Sequence, residues 1–206
     1  MLKSLEESVC RHRHSANAVG RILVFLTAAG LASCSMNNNG YHFAEEVELG
    51  SGEVIQVERQ LKYRTIGEFG GPGGAEILYS SLDIVSSFVK DRPLKWESTD
   101  GLDPILLDRE PTSGEWVILA TFISCEAWYQ LGRPKHPYVE FRFRQGAWQT
   151  IPLTDGWFGR PANMLVDNNT DSEAAFVTLA QKKLRNANNM IGAKYRSVIS
   201  NWKTNC

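Results

Sequence analysis

No stretch of this 206-residue sequence is long and apolar enough to span a membrane as a helix. The most apolar one, Ile22–Leu31, has ten residues without a charge, against the roughly 20 that a spanning helix needs. Blocks of lysine and arginine are missing too. The 22 basic residues are scattered among 23 acidic ones, for a formal net charge of −1, which argues against a nucleic-acid partner. With four cysteines and four histidines, neither a CxxC nor an HxxxH spacing occurs, so no metal site is expected. The Gly-x-Ser-x-Gly elbow of serine hydrolases is absent. No internal repeat is visible, and no cofactor is implied. What remains, 43% hydrophobic and 22% charged, suits one globular domain with a core of its own.

Ile22–Leu31 has the length of a secretory h-region, with Arg11, Arg13 and Arg21 before it and small residues after it. The run ends in Leu31-Ala32-Ser33-Cys34, which resembles the lipobox of bacterial lipoproteins. The resemblance implies a diacylglyceryl group on the Cys34 thiol and cleavage between Ser33 and Cys34. It also implies acylation of the new amino terminus. Two or more acyl chains hold a protein stably, at about 0.8 kcal/mol per buried methylene. Residues 1–33 are then a signal peptide, 34–41 the lipidated cysteine with a flexible spacer, and 42–206 a single domain. Ser35 stands where an aspartate would favour retention at the inner membrane in enteric bacteria, so the outer membrane is favoured, on its periplasmic side. One departure is the long leader before the apolar run, with Glu6 and Glu7 in it; translation starting at Val19 from an alternative codon would account for it.

With Cys10 in the leader and Cys34 acylated, Cys125 and Cys206 remain. In an oxidising compartment they are candidates for one disulfide. The alternative is a buried Cys125 thiol and a free Cys206 at the chain end. A Cys125–His136 nucleophilic pair is disfavoured by the apolar surroundings expected for Cys125.

Past Tyr41 the pattern has period two. Val54, Val57 and Leu61 alternate with Glu58 and Lys62 in one segment that includes Arg59, and Ala75–Phe88 reads as another strand or pair. Trp116, Ile118, Ala120 and Phe122 face one way and Val117, Leu119 and Ile123 the other, which marks a central strand running toward Cys125. Val139, Phe141 and Phe143 alternate with Glu140, Arg142 and Arg144 up to Gln145-Gly146, a two-residue hairpin turn that sets Trp148 opposite Phe143. Helical spacing begins only after Pro161. Thr170 with Glu173 resembles a capping box, Ala175, Leu179 and Leu184 suggest an apolar stripe, and a second helix is predicted over Ala193–Trp202. The predicted fold is mainly β, an antiparallel sandwich or open barrel with a short helical C-terminal appendage.

The order Gly52, Ile55, Val57, Arg59, then Pro104-Ile105-Leu106-Leu107-Asp108, Cys125, Gly132-x-Pro134-x-x-Pro137-Tyr138 and Trp148 is similar to uncharacterised lipoproteins of Gram-negative bacteria. That resemblance carries no activity with it. Gly67–Gly74 lacks the Gly-Lys-Ser/Thr ending of a phosphate loop. Asp100, Asp103 and Asp108 read as turn residues around Pro104. Trp128, Tyr129, Arg133, His136 and Tyr138 interleave aromatic and cationic groups on a Pro-rich segment, a candidate binding surface weighed against a packed connection. A second loop of this kind is Thr154–Pro161. The expectation is a membrane-anchored, non-enzymatic binding or envelope-interaction module for an envelope protein, peptide or glycan. The alternatives are an envelope hydrolase and an exclusion or immunity lipoprotein.

Overall fold

The computed structural model describes residues 38–66, 74–85, 94–165, 176–188 and 192–202. Strands β1 (Asn38–Glu48), β2 (Val54–Ile66), β3 (Gly74–Val85) and β4 (Leu94–Ser98) follow one another as an antiparallel meander. Strands β5 (Leu102–Arg109), β6 (Trp116–Phe122), β7 (Tyr138–Arg144) and β8 (Ala147–Ile151) make a second meander. The two-residue β9 (Phe176–Val177) joins the first sheet in parallel beside β1. Helices are short: α1 (Cys125–Gln130), α2 (Leu179–Asn188) and α3 (Ala193–Arg196), with one 3₁₀ turn at Asp155–Trp157.

Alternation explains the sandwich. Val47 of β1, Ile55 and Val57 of β2, Leu82 and Ile84 of β3 and Trp96 of β4 point to one side of the first sheet. There they meet Leu102, Leu107, Trp116, Ile118, Ala120, Phe122 and Phe141 of the second. A bulge where Lys62 and Tyr63 face β3 resets the register, so Ile77 stays inward although it is out of step with Leu82 and Ile84. The chain crosses between sheets at Gly101, whose φ is +71° and which packs so closely that a Cβ there would lie 2.8 Å from that of Ala127.

The expected central strand is β6, buried on both faces. Its outward residues Val117 and Leu119 are covered by Tyr138, Trp157 and Val198. The hairpin turn is as expected: Gln145 and Gly146 both take positive φ, 52° and 83°, Phe143 pairs with Trp148, and their rings meet edge-on at 5.4 Å.

Four details differ from the sequence reading. Asn38–Tyr41, expected in a spacer, already pair with β2 in β1. Cys125 lies in exposed α1, because β6 stops at Phe122 and Ser124 caps a helix with its hydroxyl on the Ala127 N–H at 3.2 Å. Leu184 is 64% exposed; the inward face of α2 carries Leu179, Lys182 and Asn186 instead. The last helix covers only Ala193–Arg196. The lipobox with Cys34, the segment 67–73, the Thr170–Glu173 box, Ala175 and Cys206 lie outside the described residues.

Candidate functional site

A cleft of about 610 Å³ opens where four separate segments meet. The β1–β2 turn supplies Glu48, Leu49 and Gly50, and β5 supplies Leu106 and Asp108. The segment Arg160–Asn163 forms a third wall, and Leu179, Lys182, Lys183 and Asn186 of α2 form the fourth, with Arg196 at the side. Asn163 holds its segment in place by imitating a neighbouring strand. Its amide oxygen accepts from Leu107 N–H at 2.9 Å and its amide nitrogen donates to the Leu107 carbonyl at 2.7 Å. A further bond to the Glu48 carbonyl, at 3.0 Å, ties β5 to the turn. Opposite, Pro161 bridges to Ser197, and Ala162 N–H donates to the Arg196 carbonyl at 2.8 Å.

The ionic groups of the cleft are arranged in pairs. Asp108, almost buried, accepts from Gly50 N–H at 3.0 Å, from Arg109 N–H at 2.8 Å and from the Arg160 guanidinium. Arg160 also lies over the Trp157 ring, 5.3 Å from its centre. At the rim Lys183 donates to Glu48 at 3.1 Å. Lys182 is 3% exposed and turns away from the opening, donating to Glu45 at 2.9 Å and to the Glu46 carbonyl.

That lysine belongs to a buried network behind the cleft. Arg59, inward in step with Val57 and Leu61, donates to Glu45 at 3.0 Å, to Asp103 at 2.7 Å, and to the carbonyls of Leu165 at 2.6 Å and Pro104 at 3.2 Å. Glu45 also accepts from Leu165 N–H at 2.8 Å. Burial works against the charge on Arg59, but Asp103 and Glu45 outweigh it and hold the guanidinium protonated. Burial lowers the proton affinity of Lys182, with Glu45 opposing. Asp103 and Asp108, expected as turn residues, are therefore buried members of β5, each held by an arginine.

The expected binding surface is divided. Trp128 is half-buried with its Nε1–H on the Pro134 carbonyl at 3.1 Å. Tyr129 is 44% exposed with its ring 5.1 Å from that of Trp128. Arg133, at φ +60°, stacks over both rings at 5.1 and 5.9 Å. These three form one cluster. His136 packs instead on Phe158 at 4.9 Å. Tyr138 is core: its hydroxyl sits 3.0 and 3.1 Å from the carbonyls of Ser197 and Lys194 and accepts from Ile199 N–H at 3.1 Å. Burial pushes its phenol up to about 12. Cys125 is not a free thiol; Cys206 lies outside the described residues.

His42 lies on the first sheet, 63% exposed and 3.8 Å from Glu58, so neither it nor His136 enters the cleft. Among the described residues no group of three or more His, Cys, Asp or Glu side chains could hold a metal. No helix among them is long and apolar enough to cross a membrane.

Of the residues that build the cleft, Arg160 and Pro161 fall in the second candidate loop, Thr154–Pro161, and the others were not read as site residues. For Asp108, and for Arg59 and Asp103 behind the cleft, the signal was a charge at an inward position: Arg59 between Val57 and Leu61, and Asp103 and Asp108 bracketing an apolar run. No protein-family model matches the chain, no curated protein is similar to it, and no solved structure matches it.

Proposed function

We propose that this chain is a membrane-anchored bacterial lipoprotein whose β-sandwich domain is a binding module of the cell envelope, taking its ligand or partner at the cleft. The observation that carries the binding reading is that cleft, walled by four chain segments and within the usual size of small-ligand sites. Among the described residues no histidine or cysteine lines it, and its carboxylates Glu48 and Asp108 are engaged by cations. That supports binding over hydrolysis. Cys34 would carry the lipid on its thiol, four residues before β1 begins. Glu48 and Leu49 stand at the other end of that strand, about 35 Å along it at 3.3 Å per residue, which would direct the cleft away from the headgroups. A Cys125–Cys206 disulfide would tie the chain end to α1. Placement at the outer membrane, facing the periplasm, completes the proposal.

Two measurements test it. Radioactive palmitate should label the wild type and leave Cys34→Ala cold; an unlabelled wild type removes the tether. Native mass spectra of the protein extracted from bacterial membranes should show an adduct that Ala162→Trp, which fills the cleft, abolishes. An adduct surviving that substitution moves the binding site elsewhere. The Trp128–Tyr129–Arg133 stack is the second reading, favoured by the exposed ring of Tyr129 under a guanidinium. Under it, Trp128→Ala and Arg133→Ala reduce recovery of the partner.

A further inference from the structure

Three cations face the cleft, Arg160, Lys183 and Arg196, against two carboxylates, while Lys182 in its wall is turned to Glu45. Both carboxylates are already paired with a cation. Asp108 already accepts three hydrogen bonds, and Glu48 is held by Lys183. The cations keep donors in hand. A guanidinium has five N–H groups and an ammonium three, and the acidic partners given above engage only some of those on Arg160 and Lys183. The start of α2 is not the source of this preference, because its Leu179 N–H already donates to Glu46 at 2.8 Å. Beside the charges the walls are aliphatic: Leu49, Leu106 and Leu179 line the same space.

We propose that the cleft binds an organic anion with an apolar body, its charged head engaging Arg160 and Lys183 and its body lying on Leu49, Leu106 and Leu179. This rests on the cleft being the binding site. A cationic ligand would be repelled by Arg160, Lys183 and Arg196 and would meet carboxylates already neutralised by two of them. An anion adds to the donors that Arg160 and Lys183 still have, and charge-assisted bonds are the strong kind. A wholly polar anion would leave the aliphatic walls wet, so the apolar body belongs to the recognition.

The full-length chain carrying Cys34→Ser, which has no acyl group and needs no detergent, is titrated calorimetrically at low salt. The probes are decanoate, decyl phosphate, decanol and decyltrimethylammonium, each below its micellar concentration. At least one anion should bind tenfold or more tighter than the neutral and cationic congeners, and comparing the two anions identifies the head group. Lys183→Glu, a rim residue 71% exposed, should weaken the anion about tenfold with no change in the melting midpoint; Arg160→Gln should weaken it at least as much, but with a lower midpoint, since it leaves the almost buried Asp108 without its cation. Equal affinity for all four probes, no binding of either anion, or anion binding indifferent to both substitutions overturns the proposal. The cleft reading fails separately, when the adduct of the membrane-extracted protein survives Ala162→Trp.

Discussion

Arg59 and Lys194 are both nearly closed to water, 4% and 8% exposed, yet their charges are accommodated by different means. Around Arg59 two carboxylates and two carbonyls converge, and Lys182 completes a set with two positive and two negative side chains. Among the described residues Lys194 donates to one carbonyl, that of Phe122 at 2.8 Å, and lies beside the rings of Phe122, Tyr195 and Trp202 at 4.8 to 5.2 Å. The first arrangement keeps its cation charged. In the second, burial brings the ammonium down to about 8. A buried cation matched by carboxylates behaves as a fixed rivet, joining β1, β2, β5 and α2. A buried cation matched by rings behaves as a titrating group beneath the C-terminal segment.

The largest effect should come from breaking the rivet. Arg59→Met leaves Glu45 and Asp103 buried with only Lys182 to oppose them. Removing one partner of a buried ion pair costs about 3–5 kcal/mol, read as a fall in the urea midpoint. Adding Asp103→Asn should recover part of the loss, since it removes the carboxylate left without a cation while Glu45 keeps Lys182. A single-substitution cost under about 1 kcal/mol, within the range of an exposed pair, would mean that the network does not act as a unit.

Lys194 should respond to pH in a way Arg59 cannot. The folded protein releases this proton at about 8 and the unfolded chain near 10.5. Between those values the unfolded chain holds more protons, so stability rises with pH, by at most about 3 kcal/mol. Tyr138 acts in the opposite sense above pH 10, because its phenol is held protonated in the fold up to about 12. The comparison is therefore cleanest from pH 8 to 10. Lys194→Met should lose that part of the pH slope, and at pH 7 it should be as stable as the wild type or more so. A slope identical in both proteins would show that burial does not control this lysine. Tyr138→Phe, which removes the hydroxyl from Ile199 N–H and the nearby carbonyls, should cost about 1–2 kcal/mol.

The same contrast explains which features could be read from the sequence. The sandwich, the central strand and the Gln145-Gly146 hairpin were legible because each rests on a local alternation or a turn with one backbone solution. Arg59 was less so. Its position in step with Val57 and Leu61 was visible, but the carboxylates that make burial tolerable are 14 and 44 residues away. Asp108 looked like a turn residue because nothing nearby in sequence announces Arg160, 52 residues on. Lys182 took the inward place assigned to Leu184 for the same reason. Cys125 was misplaced by one local competitor, the Ser124 cap that converts the end of an apolar run into a helix.

The smallest effect should come from a pair that looks as good as the buried ones on distance alone. Lys95 and Glu97 approach within 2.6 Å on β4, and Tyr79 donates to the same carboxylate at 2.5 Å. Both charged side chains are about half exposed, so water solvates either charge once the partner is gone, and two flexible side chains recover their freedom. Lys95→Ala should leave the urea midpoint within experimental error. A loss comparable to that of Arg59→Met would mean that distance, and not exclusion of water, governs the ionic contributions in this fold, and the contrast between Arg59 and Lys194 would lose its basis.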